Sequence, residues 1–210
     1  VADEIVDTYR GDDAAEELNR FEAEVARAVQ VGYSTNPIIQ AYAQTARQFG
    51  ITDELTKPFF DSMRSDLSPT PMDQAAYEAY IYGSAEVVGL MCLRVFVEGD
   101  EAQYQELRAG AQALGSAYQK VNFLRDIAAD YNELGRSYFP TITHLDQLTD
   151  EAKQHIINEV AAEYVTAYDA LQNLPKTARR AVRLSYEYYT ELLNVLHTAP
   201  AETIKTTRLS

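Results

Sequence analysis

The sequence predicts an all-α domain, and three observations carry that expectation. Gly and Pro are sparse, 9 and 7 among 210 residues, and stand mostly between segments rather than inside them. Within those segments apolar residues recur at the spacing of a helix with one buried face. With 46% hydrophobic residues, the chain has enough apolar material for one sizeable core.

Residues 1–9 already read as helix, with Asp3 and Asp7 at i, i+4 and with Ile5 and Val6 available to a core. Gly11-Asp12-Asp13 is a turn and cap, and residues 14–30 follow as a helix with Leu18, Phe21, Val25 and Val29 on one face. Asn36-Pro37 starts the next, Asn as cap and Pro at the first position, and it runs over 38–49 until Gly50 closes it. Residues 53–66 carry Leu55, Phe59, Phe60 and Met63, and Ser68-Pro69-Thr70-Pro71 is a linker too short to divide domains.

Residues 72–97 form a long apolar helix containing Tyr77, Tyr80, Tyr82, Gly83, Ser84, Ala85 and Gly89. A mid-helix Gly costs about 1 kcal/mol relative to Ala, so these small residues imply close approach of a helix or a ligand. Glu86 in the same segment needs a partner if buried. Residues 101–133 form another helix, ended by Gly135 with Pro140 beyond it, and His144 in the following loop is expected to be structural. Two helices, 150–173 and 176–197, are separated by Leu174-Pro175, and the tail 199–210 looks cut short. No repeat or low-complexity tract appears.

Charge and missing motifs narrow the function. A net charge of −14, from 32 acidic and 18 basic residues, disfavours nucleic acid or anionic lipid as a partner, and no basic patch intervenes. The low Lys content also suggests adaptation to a salty cytoplasm. Apolar runs fall far short of the ~20 residues that cross a bilayer, so neither a transmembrane helix nor a signal peptide is expected. The single cysteine, Cys92, lies in the apolar run 87–93, which predicts a buried, inert thiol, excludes a disulfide within the chain and suits a cytoplasmic protein. There is no Gly-rich phosphate loop, Cys/His metal cluster, nucleophile elbow or dinucleotide fingerprint.

What remains is a stripe of oxygen ligands. Gln119, Asn122, Asp126, Asp130 and Glu133 fall on one narrow line of the 101–133 helix, beside the apolar Phe123, Ile127 and Leu134. Asp126 and Asp130 oppose each other at i, i+4 by about 0.2–0.5 kcal/mol, with no Lys or Arg three or four residues from either. Two readings fit: a solvated acidic face, or carboxylates awaiting a cation. Asp3 and Asp7 repeat the pair, and facing helices could present both pairs across one cavity. Carboxylates for a divalent metal, with the guanidiniums of Arg125 and Arg136 for phosphate, suit a magnesium-bound diphosphate.

Gln119-x-x-Asn122-x-x-Arg125-Asp126-x-x-x-Asp130, with Gly135-Arg136-x-Tyr138-x-Pro140 after it, resembles the signature of the squalene and phytoene synthase family, which joins two prenyl diphosphates head to head. The segment 2–7 resembles that family's first aspartate motif, and 80–89 resembles its Tyr-x-Val-Ala-Gly-x-Val-Gly segment, with Ser84 and Glu86 replacing the commoner Val and Gly. The likeness covers essentially all 210 residues. It implies a single isoprenoid synthase domain over 1–210, a helical bundle around a central cavity, with about two further helices upstream and more chain at the C-terminal end.

The resemblance further implies that Asp3, Asp7, Asp126 and Asp130 hold Mg2+, or Mn2+ in its place, and that Gln119 and Asn122 orient that shell. Arg125 and Arg136 would neutralise the leaving diphosphate, and Tyr82 and Tyr138 would face the carbocation. The wording of 82–93 is most similar to bacterial phytoene synthases, so two geranylgeranyl diphosphates giving phytoene is the favoured reaction. Squalene or dehydrosqualene from farnesyl diphosphate is the alternative, with NADPH needed only for squalene. A non-catalytic scaffold of the same fold is the alternative of another class. The retained aspartates and arginines argue against it. The implied partners are prenyl diphosphates, with peripheral membrane contact for product release and no nucleic acid.

Overall fold

Capping chemistry sets where the helices begin and end. The computed structural model describes residues 1–68, 70–134 and 137–209, and among them every regular element is helical. A π-helical turn, Glu4–Thr8, comes first. It is followed by α1 (Ala14–Val31), α2 (Pro37–Phe49) and α3 (Asp53–Asp66). The Asn36 side chain accepts from the amides of Ile38 (3.0 Å) and Ile39 (3.4 Å), and Gly32 and Gly50 close α1 and α2 in the left-handed region at φ 80° and 73°. Ala2, Ile5 and Val6 pack the first turn against Leu18, Phe60 and Met63. The opening turn is thereby seated on α1 and α3.

The apolar segment expected over 72–97 is one helix from Gln74 to Phe96 with a fault in its middle. α4 (Gln74–Ile81) runs into a π-helical turn, Tyr82–Glu86, and out into α5 (Val87–Phe96). There the Val87 amide donates to the Tyr82 carbonyl, five residues back. The neighbouring α3 explains the small residue: a Cβ on Gly83 would lie 2.1 Å from the Pro58 carbonyl oxygen and 2.2 Å from Ser62 Oγ. Ser62 Oγ donates to the Tyr80 carbonyl at 3.2 Å. By length and mean hydropathy, 1.3, this helix is long and apolar enough to cross a bilayer, contrary to the expectation from its short apolar runs. A third of that window is buried, where the helix packs against α3 and the next helix.

That next helix, α6 (Glu101–Leu134), is the spine, about 50 Å long at 1.5 Å per residue. A short 3-10 turn, Leu145–Gln147, leads to α7 (Asp150–Asn173), α8 (Lys176–Thr198) and a four-residue α9 (Ala201–Ile204). α9 was not anticipated in the tail, yet Ala201 and Ile204 are buried in the main core with Leu124, Ile127, Val160 and Leu196. The buried Lys120 ties α6 to α7 through Glu159 and Glu163, and Glu86 accepts from Gln112 Nε2 at 2.9 Å. His144 Nδ1 lies 3.1 Å from the Tyr131 hydroxyl. Cys92 departs from expectation: it is exposed, on the side of the run that lines an open cavity with Val88 and Gly89, while Val87, Leu90 and Leu93 fill the core.

Candidate active site

One chamber of about 350 Å3 collects both aspartate pairs. Asp3 and Asp7 enter it from the first turn, Asp126 and Asp130 from α6, together with Gln119, Asn122 and Arg125. The helical spacing that put these α6 residues on one stripe therefore aims them into one cavity. Gly135, Arg136 and the Glu133 side chain lie outside the described residues.

Positive charge reaches the stripe from two directions. Arg125 forks its neighbour Asp126, Nε to Oδ1 at 3.0 Å and Nη2 to Oδ2 at 2.6 Å. Arg208, in the tail beyond α9, meets the same carboxylate through Nε at 2.6 Å and Nη2 at 3.4 Å. Burial opposes ionisation of Asp126, but the bonds from the two guanidiniums outweigh it and hold the carboxyl below its usual range. The cation that the sequence required near Asp126 is thus partly supplied from 82 residues away. Neither periodicity nor motif spacing pointed to Arg208.

The aromatic wall differs from the expected one. Tyr138 lines the chamber, stacked on Phe123 with centroids 4.0 Å apart and planes within 4°. Tyr82 does not line this chamber; it borders a neighbouring cavity of about 490 Å3 beneath α3 and α4. Tyr80 takes the position instead, 5.3 Å from the Tyr138 ring. Two residues apart on a helix are about 200° apart in direction, so only one of these tyrosines can face Asp126. Tyr80 donates to both oxygens of the buried Asp66 at 3.1 Å. Burial first, then the Asp66 charge, push its hydroxyl far above the ordinary range, so it stays protonated.

The chamber opens on two apolar spaces. Ser84, Gln119 and Asn122 line both the chamber and a cavity of about 380 Å3 between α5, α6, α7 and α8. Asp66, Tyr80 and Tyr138 line both the chamber and the 490 Å3 cavity. At the first opening Tyr189 donates to Asn122 Oδ1 at 3.3 Å and stacks on Tyr118, centroids 4.0 Å apart. The three neighbours Tyr186, Tyr188 and Tyr189 gave no means of choosing this one from sequence.

Among the described residues no three of His, Cys, Asp and Glu converge into a group that would hold an ion unaided. Magnesium is generally bound by one or two carboxylates, with water and substrate phosphate completing an octahedron. Ser84 Oγ, buried at the chamber edge with no hydrogen-bond partner among the described residues, offers a further polar atom to a ligand. Hard carboxylate and amide oxygens fit magnesium or manganese.

Helices wrapped around a carboxylate-lined cavity define the isoprenoid synthase fold, and solved structures share it. A dehydrosqualene synthase superposes with a TM-score of 0.79 at 21% identity, covering 93% of this chain and 71% of the other. Squalene synthase HpnC of Alicyclobacillus acidocaldarius gives 0.73 at 19% identity, over 93% and 77%. The family model described as squalene/phytoene synthase matches residues 1–210, and the chain belongs to that family. Among individual relatives, a phytoene synthase of Mycobacterium tuberculosis is 30% identical over 118 residues, 55% of this chain and 36% of that protein. A bifunctional lycopene cyclase/phytoene synthase of Blakeslea trispora is 27% identical over 154 residues, 65% of this chain and 25% of its own length. The chain spans about a quarter to a third of the length of these curated relatives.

Proposed function

We propose that the chain carries the catalytic centre of a magnesium-dependent prenyltransferase that joins two geranylgeranyl diphosphates head to head into phytoene. The observation that supports this most directly is one acidic chamber opening on two apolar cavities, a place for two diphosphates with a separate wall for each hydrocarbon chain. Asp3, Asp7, Asp126 and Asp130 would hold magnesium, or manganese, and the ion would supply the charge that makes diphosphate a leaving group.

The remaining steps fall to this chain's own side chains. Asn122, fixed by Tyr189, and Gln119 orient the polar shell at the mouth of the 380 Å3 cavity. Arg125, Arg208 and, by resemblance, Arg136 receive the departing diphosphate in their planar forks. When the C1–O bond of one substrate breaks, the allylic cation lies beside the faces of Tyr80, Phe123 and Tyr138, which stabilise positive charge without offering a nucleophile. The double bond of the second substrate attacks that cation, and loss of a proton from C1 of the first substrate closes a cyclopropyl ring. Loss of the second diphosphate, rearrangement and loss of a second proton give the linear product. The protonated Tyr80 hydroxyl, bonded to Asp66, cannot act as a base there. A hydrocarbon product would leave through peripheral contact with a membrane.

Product analysis by mass spectrometry tests this on the full-length protein, with farnesyl and geranylgeranyl diphosphate offered separately with magnesium, each with and without NADPH. A forty-carbon hydrocarbon from geranylgeranyl diphosphate alone, lost on chelation, is the expected result. A thirty-carbon product would move the enzyme to squalene or dehydrosqualene, NADPH dependence distinguishing the two. No product from either would leave a non-catalytic scaffold.

A further inference from the structure

The 380 Å3 cavity has a depth that can be read from helix register. A Cβ on Gly115 would lie 2.7 Å from the Ala85 carbonyl oxygen, and one on Gly89 would lie 2.7 Å from that of Ala111. Both contacts give the same antiparallel register between the Tyr82–Phe96 stretch and α6. That register sets Cys92 level with Arg108 and Leu93 level with Leu107. On the other side, Gly110 meets Ala170, which brings Leu174 down to one residue past the level of Leu107.

The walls change character along this depth. Near the chamber they are small or polar, with Ser84, Ala85 and Gly115. At the far end Leu93, Leu107 and Leu174 are all buried and close the space, with Phe96 beyond. From Gln119 at the mouth, α6 falls about 16 Å to the level of Cys92 and about 18 Å to Leu107, at about 1.5 Å per residue. The bond lengths and angles that carry three peptide-chain bonds about 3.5 Å carry the four bonds of an isoprene unit about 4.7 Å. By that measure three units reach about 14 Å and four reach about 19 Å. A farnesyl chain ends above Cys92, and a geranylgeranyl chain passes it and meets the leucines.

We infer that Leu93, Leu107 and Leu174 form the stop that gauges substrate chain length at four isoprene units, with Cys92 on the wall at a depth that only the fourth unit covers. The inference rests on the prenyl diphosphate reading above and assigns residues to its chain-length choice. Cys92 reports occupancy directly, being exposed to the cavity and the only cysteine in the chain.

The test measures labelling of Cys92 by N-ethylmaleimide, followed by mass spectrometry, with magnesium and the unreactive thiolodiphosphate analogues of geranyl, farnesyl and geranylgeranyl diphosphate. Binding of each analogue is checked separately by thermal shift. The geranylgeranyl analogue at about ten times its Kd is expected to slow labelling about tenfold, while farnesyl and geranyl analogues at matched saturation leave the rate within about twofold. Equal protection by farnesyl, or no protection despite a thermal shift from all three, overturns the gauge while leaving the family chemistry standing. No thermal shift from any analogue overturns the substrate reading beneath it. Cys92→Phe supplies a second arm that does not disturb the buried leucines: its ring should remove binding of the geranylgeranyl analogue and keep that of farnesyl. Unchanged geranylgeranyl binding by Cys92→Phe overturns the assignment.

Discussion

Asp126 is the residue on which the polar chamber turns. It takes hydrogen bonds from both Arg125 and Arg208, so its carboxylate serves as anchor for two guanidiniums as well as a proposed ligand. Asp126→Asn preserves shape and removes the charge. Turnover should fall by about a hundredfold or more, consistent with loss of several kcal/mol of metal-assisted stabilisation, while the circular dichroism spectrum stays the same. Steady-state assays on the variant check this, and substantial residual activity would refute the metal assignment. At this scale the sequence was legible where spacing along one helix decides direction, as for Gln119, Asn122, Asp126 and Asp130. It was silent where a contact joins distant segments. Arg208 stands in a tail with no period to interpret, and its role is set by α9, which buries Ala201 and Ile204 and so delivers the tail to the chamber. The bond between Tyr80 and Asp66 is likewise tertiary.

The helices themselves were legible, because caps and apolar periods are local. Asn36-Pro37, Gly50 and the break at Leu174-Pro175 all mark boundaries found in the structure. The π-helical turn at Tyr82–Glu86 was not, since it answers to the backbone of α3 and not to any neighbour in sequence. Tyr82 begins that turn, two residues past Tyr80; the motif favoured it, but Tyr80 and not Tyr82 lines this chamber. Gly83→Ala measures how tightly the turn is held. Its Cβ would meet the Pro58 carbonyl oxygen, which cannot rotate away, so a loss of about 1–3 kcal/mol is expected in urea unfolding. A neutral effect would mean that α3 shifts to accommodate the methyl group.

Across the whole molecule, the charge balance opposes the proposed chemistry. A chain of net charge −14 repels anionic diphosphates at long range, so capture must depend on arginines within the chamber and on divalent cations. The same excess charge repels itself in the folded state. Raising KCl from about 0.1 M to about 1 M shortens the Debye length from about 10 Å to about 3 Å and should raise the melting temperature, measured by calorimetry. Full stability and activity at low salt would sink the idea that the acidity answers a salty cytoplasm.

The chamber joins Asp3 to the contact made by Arg208, which lies far later in the sequence. A ribosome making this protein therefore completes no such pocket until Arg208 has been added. Fragments left by stalled or interrupted synthesis would carry one aspartate pair or most of the apolar lining, but never the full set of groups that could release a carbocation.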